Sequence, residues 1–154
     1  MDPSALSARD ALRQMAQGEI TAVQLMTACL AQVDRIDPVV NAMVIRNDEL
    51  ALERAAKADL ERQSGRAIGP LHGLPVAIKD LHPTADMPTT YGSPAFSDHQ
   101  PTQDAGIVTR IKAAGGIPIG KTNIPERSIG ANTVNPLFGA TGNPFDPTLT
   151  CGGS

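Results

Sequence analysis

Lys79 ends a short apolar run, Leu74-Pro75-Val76-Ala77-Ile78, and Ser154 follows Cys151-Gly152-Gly153, 75 residues further on. A lysine can activate a serine for acyl transfer only as the neutral amine, which then takes the hydroxyl proton. A solvated lysine titrates near ~10.4 and is a poor base at neutral pH. Desolvation and hydrogen bonding to the neutral amine lower that value, and the end of a buried strand is a place where both arise. Taken alone, Lys79 reads better as a solvent-facing residue paired with Asp80. The glycine-rich context of Ser154 shifts the balance, because such backbone approaches ligands closely and adopts unusual dihedrals.

Other chemistry-bearing residues carry weaker signals. Gly115 to Thr122 (GGIPIGKT) satisfies the phosphate-loop pattern G-x-x-x-x-G-K-[ST] letter for letter. That motif needs a strand before the loop and a helix after it, so that helix and loop N–H groups hold the phosphates. Here a helix precedes, the loop itself contains the strand, and Pro118 removes one N–H. Nucleotide binding is therefore rejected. His72, His82 and His99 lack metal-ligand spacing and sit in turn-rich segments. Asp80 and Glu126 read as structural hydrogen-bond acceptors, and Lys121 as a second, structural lysine near the site. Cys151 has no histidine nearby to activate it.

Three helices are expected to precede the Lys79 strand. The first is capped at Ser7 with Asp10 and stops at Gly18. The second opens at Thr21 with Gln24 three residues on. It carries the stripe Val23, Met26, Leu30, Val33, Ile36 and is expected to end at Asp37-Pro38. After a β-rich run over residues 40–46, Asn47 caps a third helix that closes near Gly65. Residues 69–73 form a turn into the strand at 74–78, and residues 81–103 lack periodicity. Residues 104–114 are helical, with Ile107, Val108 and Ile111 on one face, and residues 117–119 form a brief strand. A helix between two apolar strands gives an α/β class. Residues 120–154 hold six Gly, four Pro, four Asn and five Thr. They read as irregular backbone pinned by Ile129, Val134, Leu137, Phe138 and Phe145.

Composition bounds the function. Hydrophobic residues make up 41% and charged residues 19% of 154, as in ordinary globular proteins. Aromatics are only 3%, so a core must rest on Ala, Val, Ile and Leu. A net charge of -3 with scattered Lys and Arg gives no nucleic-acid footprint. No apolar stretch approaches the ~20 residues of a spanning helix. The first seven residues do not read as a secretory signal, and two distant cysteines do not suggest a disulfide framework. The expectation is a cytoplasmic protein with no cofactor, no metal, no membrane and no direct nucleic-acid partner.

The runs GPLHGLPVAIKD (69–80), TTYGS (89–93), DAGIVTRIKAAGGIPIGKTNIPE (104–126), NPLFGATGNPFD (135–146) and CGGS (151–154) resemble the amidase signature family in order and spacing. The match is strong over residues 69–154; residues 1–68 resemble the family's N-terminal helices only loosely. The resemblance implies αβα layers around a mixed sheet, of which this chain encodes the N-terminal part of a single domain. It also implies a Ser–cis-Ser–Lys triad acting on a small-molecule amide, with Lys79 as base and Ser154 as the bridging serine. Ser128 matches a position lining the substrate cavity. The nucleophile and the oxyanion hole lie further along in the family, so this chain reads as stopping before them. Arg127 departs from the family, standing where an aromatic often follows the Glu, and Cys151 stands where Pro or a small residue is common.

Three functions are compatible with these residues: an amide hydrolase, the amidase subunit of a tRNA-dependent amidotransferase, and a non-catalytic fragment or binding module. Residues 1–154 alone are expected to lack amidase activity. An exposed sheet edge and apolar patches are expected to favour self-association, including a homo-oligomer, with the segment from Gly120 mobile.

Overall fold

The computed structural model describes residues 2–66 and 68–153. Helix α1 (Ala8–Gln17) starts at Ser7, whose hydroxyl accepts the Asp10 N–H, and stops at Gly18 in the left-handed conformation. Helix α2 (Ala22–Val40) opens with a reciprocal capping box between Thr21 and Gln24. It runs beyond the expected stop at Asp37-Pro38 and ends at left-handed Asn41. The extension holds because the Asn41 N–H bonds to the Asp37 carbonyl while the Asp37 carboxylate accepts the N–H groups of Ala42 and Met43. One side chain thus closes the helix and launches the next strand.

Strand β1 (Met43–Arg46) leads to α3 (Asp48–Gln63), capped by Asn47. The packed face of α3 is an alanine stripe, Ala51, Ala55 and Ala58, while Leu60 is 66% exposed. Small side chains at this helical spacing let α3 lie close against α2. Strand β2 (Pro75–Lys79) and β3 (Ile117–Thr122) run parallel, with α4 (Gly106–Ala113) in the crossover between them. Strand β1 pairs antiparallel on the other edge of β3, giving a mixed sheet in the order β1-β3-β2. The α/β class expected from the residues is therefore present.

Strand β3 is longer than the expected 117–119 and takes in Gly120, Lys121 and Thr122. A bulge shifts its register against β2 between Val76 and Ala77, beside Pro118, so the central strand tolerates a residue without an N–H there. Gly120 admits no side chain, since a Cβ would lie 2.4 Å from the Ile45 carbonyl oxygen on β1. The phosphate-loop look-alike is thus a turn plus a central strand. The main core joins Met15, Leu25, Met26 and Leu30 to Ile117 and Ile119 of the sheet. Among the described residues no helix is long and apolar enough to cross a membrane.

The segment after β3 is anchored differently from the expectation. Ile129 (80%), Val134 (53%) and Phe145 (97%) are exposed and anchor nothing. Buried asparagines and threonines hold the chain instead. Asn135 donates to the Asn123 side chain and to the Ile124 carbonyl, and accepts the N–H groups of Leu137 and Phe138. Asn123 donates to the Gly139 carbonyl and to Thr141, whose hydroxyl bonds the Asn41 carbonyl. This network folds the short hairpin β4 (Val134–Asn135) and β5 (Gly139–Ala140) back onto the end of α2.

Candidate active site

Lys79 is the last residue of β2 and is half-buried, with its Cα paired to Thr122 of β3. The turn beyond it is fixed by the His82 N–H, which donates to the Lys79 carbonyl at 3.0 Å. Asp80, next in sequence, points inward and is fully buried. Its carboxylate accepts the Thr90 N–H at 3.1 Å and the Thr90 hydroxyl at 2.5 Å, tying the 89–93 segment beneath the strand end. Burial pushes the Asp80 carboxyl above its ordinary value, against the hydrogen bonds from Thr90 and the charge of Lys121, which pull it down.

Lys121 is the largest fully buried side chain among the described residues. Its ammonium donates to the His82 carbonyl (2.6 Å), Thr89 Oγ1 (2.9 Å) and Thr84 Oγ1 (3.1 Å), and lies 3.9 Å from Asp80 Oδ1. Three neutral oxygens and one carboxylate beyond hydrogen-bond reach do not replace bulk hydration. Burial accordingly lowers the Lys121 amine from 10.5 to about 8, with Asp80 the leading opposing charge. Asp80 hydrogen-bonds the nearby 89–93 loop as expected, and so does Glu126, whose Oε1 accepts the Ser93 hydroxyl at 2.6 Å. His72 is buried, with Nε2 2.8 Å from the Ala58 carbonyl oxygen. Among the described residues no cluster of His, Cys, Asp and Glu is arranged to hold a metal.

Ser128 sits in an unusual turn. Arg127 (φ 53°) and Ser128 (φ 60°) are consecutive left-handed residues, and neither is glycine. Across from them Tyr91 (φ 55°) and Gly92 (φ 62°) form a second left-handed pair. The two turns are clasped by the Arg127 N–H, which donates to the Tyr91 carbonyl at 2.7 Å. Ser128 Oγ is buried with no hydrogen-bond partner among the described residues.

Ser154 lies outside the described residues. The two glycines before it are placed: the Gly152 carbonyl accepts both the N–H and the hydroxyl of Thr133, at 2.8 and 2.9 Å. A Cβ on Gly153 would lie 3.1 Å from the carbonyl oxygens of Gly130 and Ala131, so this glycine is pressed against the loop that follows Ser128. Sequence reasoning missed the roles of Thr84, Thr89 and Thr90, although the TTYGS run contains two of them. It also missed an aromatic cluster in which Tyr91 and Phe96 meet edge-on at 5.2 Å and His99 stacks on Tyr91 at 6.0 Å.

The sequence and the fold have counterparts among known proteins. The Amidase family pattern matches residues 24–154. The chain is 45% identical over 148 residues to a glutamyl-tRNA(Gln) amidotransferase subunit of Rhodopirellula baltica, covering 96% of this chain and 30% of that protein. It is 41% identical over 148 residues to an indoleacetamide hydrolase of Bradyrhizobium diazoefficiens, covering 96% of this chain and 28% of that protein. A solved amidase structure superposes with a TM-score of 0.89 at 33% identity, covering 97% of this chain and 34% of the other. The chain thus spans about 30% of the length of the curated relatives it matches. With the pattern matching most of its residues and its fold shared with a solved amidase, the chain belongs to the amidase family.

Proposed function

We propose that this sequence is the N-terminal part of a single-domain amide hydrolase of the Ser–cis-Ser–Lys type. In this reading Lys79 as the neutral amine takes a proton from Ser154, and Ser154 takes one from a nucleophilic serine beyond this sequence. That serine attacks the amide carbonyl carbon, and the amine leaves after receiving the proton back along the same route. Water then attacks the acyl-serine and releases the carboxylic acid. Ser128 lines the substrate cavity, its orphaned hydroxyl available to a ligand or to the rest of the protein. The observation that carries the reading is the return of Gly152 and Gly153 to the loop after Ser128, on the segment that leaves the strand beside Lys79. The test is hydrolysis of small carboxylic amides by the full-length protein, against Lys79→Ala and Ser154→Ala. Wild-type turnover that survives either substitution would remove that residue from the mechanism.

A second reading has the same triad releasing ammonia from glutamine within a tRNA-dependent amidotransferase. Its support is the 45% identity to a glutamyl-tRNA(Gln) amidotransferase subunit. Glutaminase activity that rises only with added partner proteins and tRNA would select it over a free-standing hydrolase. In both readings residues 1–154 alone are inactive, because oxyanion donors and the nucleophile provide most of such catalysis.

A further inference from the structure

Beside the clasped turns lies an open depression of about 280 Å³ lined by Leu81, Tyr91, Phe96 and Arg127. Leu81 is two residues from Lys79, and Arg127 adjoins Ser128. The walls are a leucine and two aromatic rings, and the guanidinium carbon of Arg127 stands 6.0 Å from the Phe96 ring centroid. Arg127 makes no ion pair with a carboxylate among the described residues. Its nearest acidic neighbour in sequence, Glu126, is engaged by the Ser93 hydroxyl. The left-handed backbone at 127 and 128 sets the direction in which the Arg127 side chain leaves the turn. Left-handed backbone at non-glycine residues collects at ligand clamps.

We infer that Arg127, with Leu81, Tyr91 and Phe96, forms a subsite for a carboxylate carried on a small aromatic or aliphatic body. A planar guanidinium offers a carboxylate two parallel N–H donors, and the apolar walls take the body behind it. A phosphate is a poorer match, since no second cation lines the depression and a dianion would be left half-neutralised. Resting on the amide-hydrolase reading, the substrate class is then an amide that also bears a free carboxylate. Arg127 selects it by charge and takes no part in proton transfer.

The experiment is binding of phenylacetate and of its neutral analogue 2-phenylethanol to the purified full-length protein, followed by NMR. Arg127→Gln and Phe96→Ala are measured alongside, with circular dichroism confirming that each variant is folded. Phenylacetate is expected to bind about tenfold more tightly than the alcohol, the gain of a charge-assisted hydrogen bond over a neutral one. Arg127→Gln is expected to remove that preference while keeping the alcohol, and Phe96→Ala to weaken both. Equal binding of the two probes to the wild type, or a preference that persists in Arg127→Gln, overturns the subsite. Binding is read without turnover, so the two ideas fail separately. Arg127-dependent capture without any amide hydrolysis would sink only the proposed function, and hydrolysis without carboxylate preference would sink only the subsite.

Discussion

Replacing Lys121 by Met removes an ammonium from a fully buried site, keeps a side chain of similar length and leaves little cavity. His82, Thr84 and Thr89 lose a shared charged donor, but both threonine hydroxyls can still donate to the His82 carbonyl. The larger effect falls on Asp80, which stays buried with hydrogen bonds from Thr90 and from the Gly92 N–H but no opposite charge beside it. Removing one partner of a buried ion pair costs about 3–5 kcal/mol, and the Thr90 bonds place this case near ~3 kcal/mol at neutral pH. Its pH dependence is more diagnostic. The folded-state Lys121 value of about 8 lies below the ordinary 10.5, so between these limits the unfolded chain binds more protons. Wild-type stability should therefore rise through that window, by up to roughly 3 kcal/mol. The variant lacks this gain, so the deficit of Lys121→Met should widen as pH rises from neutral. Urea unfolding of both proteins across the window measures it. A deficit below about 1 kcal/mol at neutral pH, or one that stays flat with pH, would refute the reasoning.

Two further perturbations probe the irregular half of the chain. Asn135→Ala removes a buried side chain that makes four hydrogen bonds, and should cost about 2–4 kcal/mol. Hydrogen exchange should show selective loss of protection at the Leu137 and Phe138 amides, and unchanged protection there would place the anchor elsewhere. Arg127→Gly removes a side chain from a position with φ 53° and should stabilise the protein by about 1 kcal/mol in thermal melting. A destabilised glycine variant would mean that the Arg127 contacts outweigh its backbone strain.

The regular elements were legible because each carries a local cause. Ser7, Thr21 and Asn47 cap their helices through their own side chains, and the strand–helix–strand order announced the parallel pair. Strand β3 outran its apolar letters because Gly120, Lys121 and Thr122 are held by ladder bonds to two neighbours, which no periodicity displays. Helix α2 outran its expected stop because the Asp37 carboxylate reaches past Pro38 to the N–H groups of Ala42 and Met43 and completes the turn. The anchoring of residues 123–141 was misassigned because apolar residues advertise burial, whereas asparagine bridges such as Asn135 to Asn123 depend on pairings made only after folding. The position of Lys79 at the end of β2 was legible from the apolar run before it. The Arg127 depression was visible only as a departure from a family pattern, since its walls come from residues 81, 91, 96 and 127.

Amide hydrolysis by the full-length protein tests the central claim most directly. The wild type and Lys79→Ala are compared under single-turnover conditions with a small aromatic amide and with glutamine, after both proteins are shown to melt alike. The account predicts release of the carboxylic acid by the wild type and loss of at least about a hundredfold in rate on removing the base. An equally folded Lys79→Ala protein that turns over amide at the wild-type rate would contradict it.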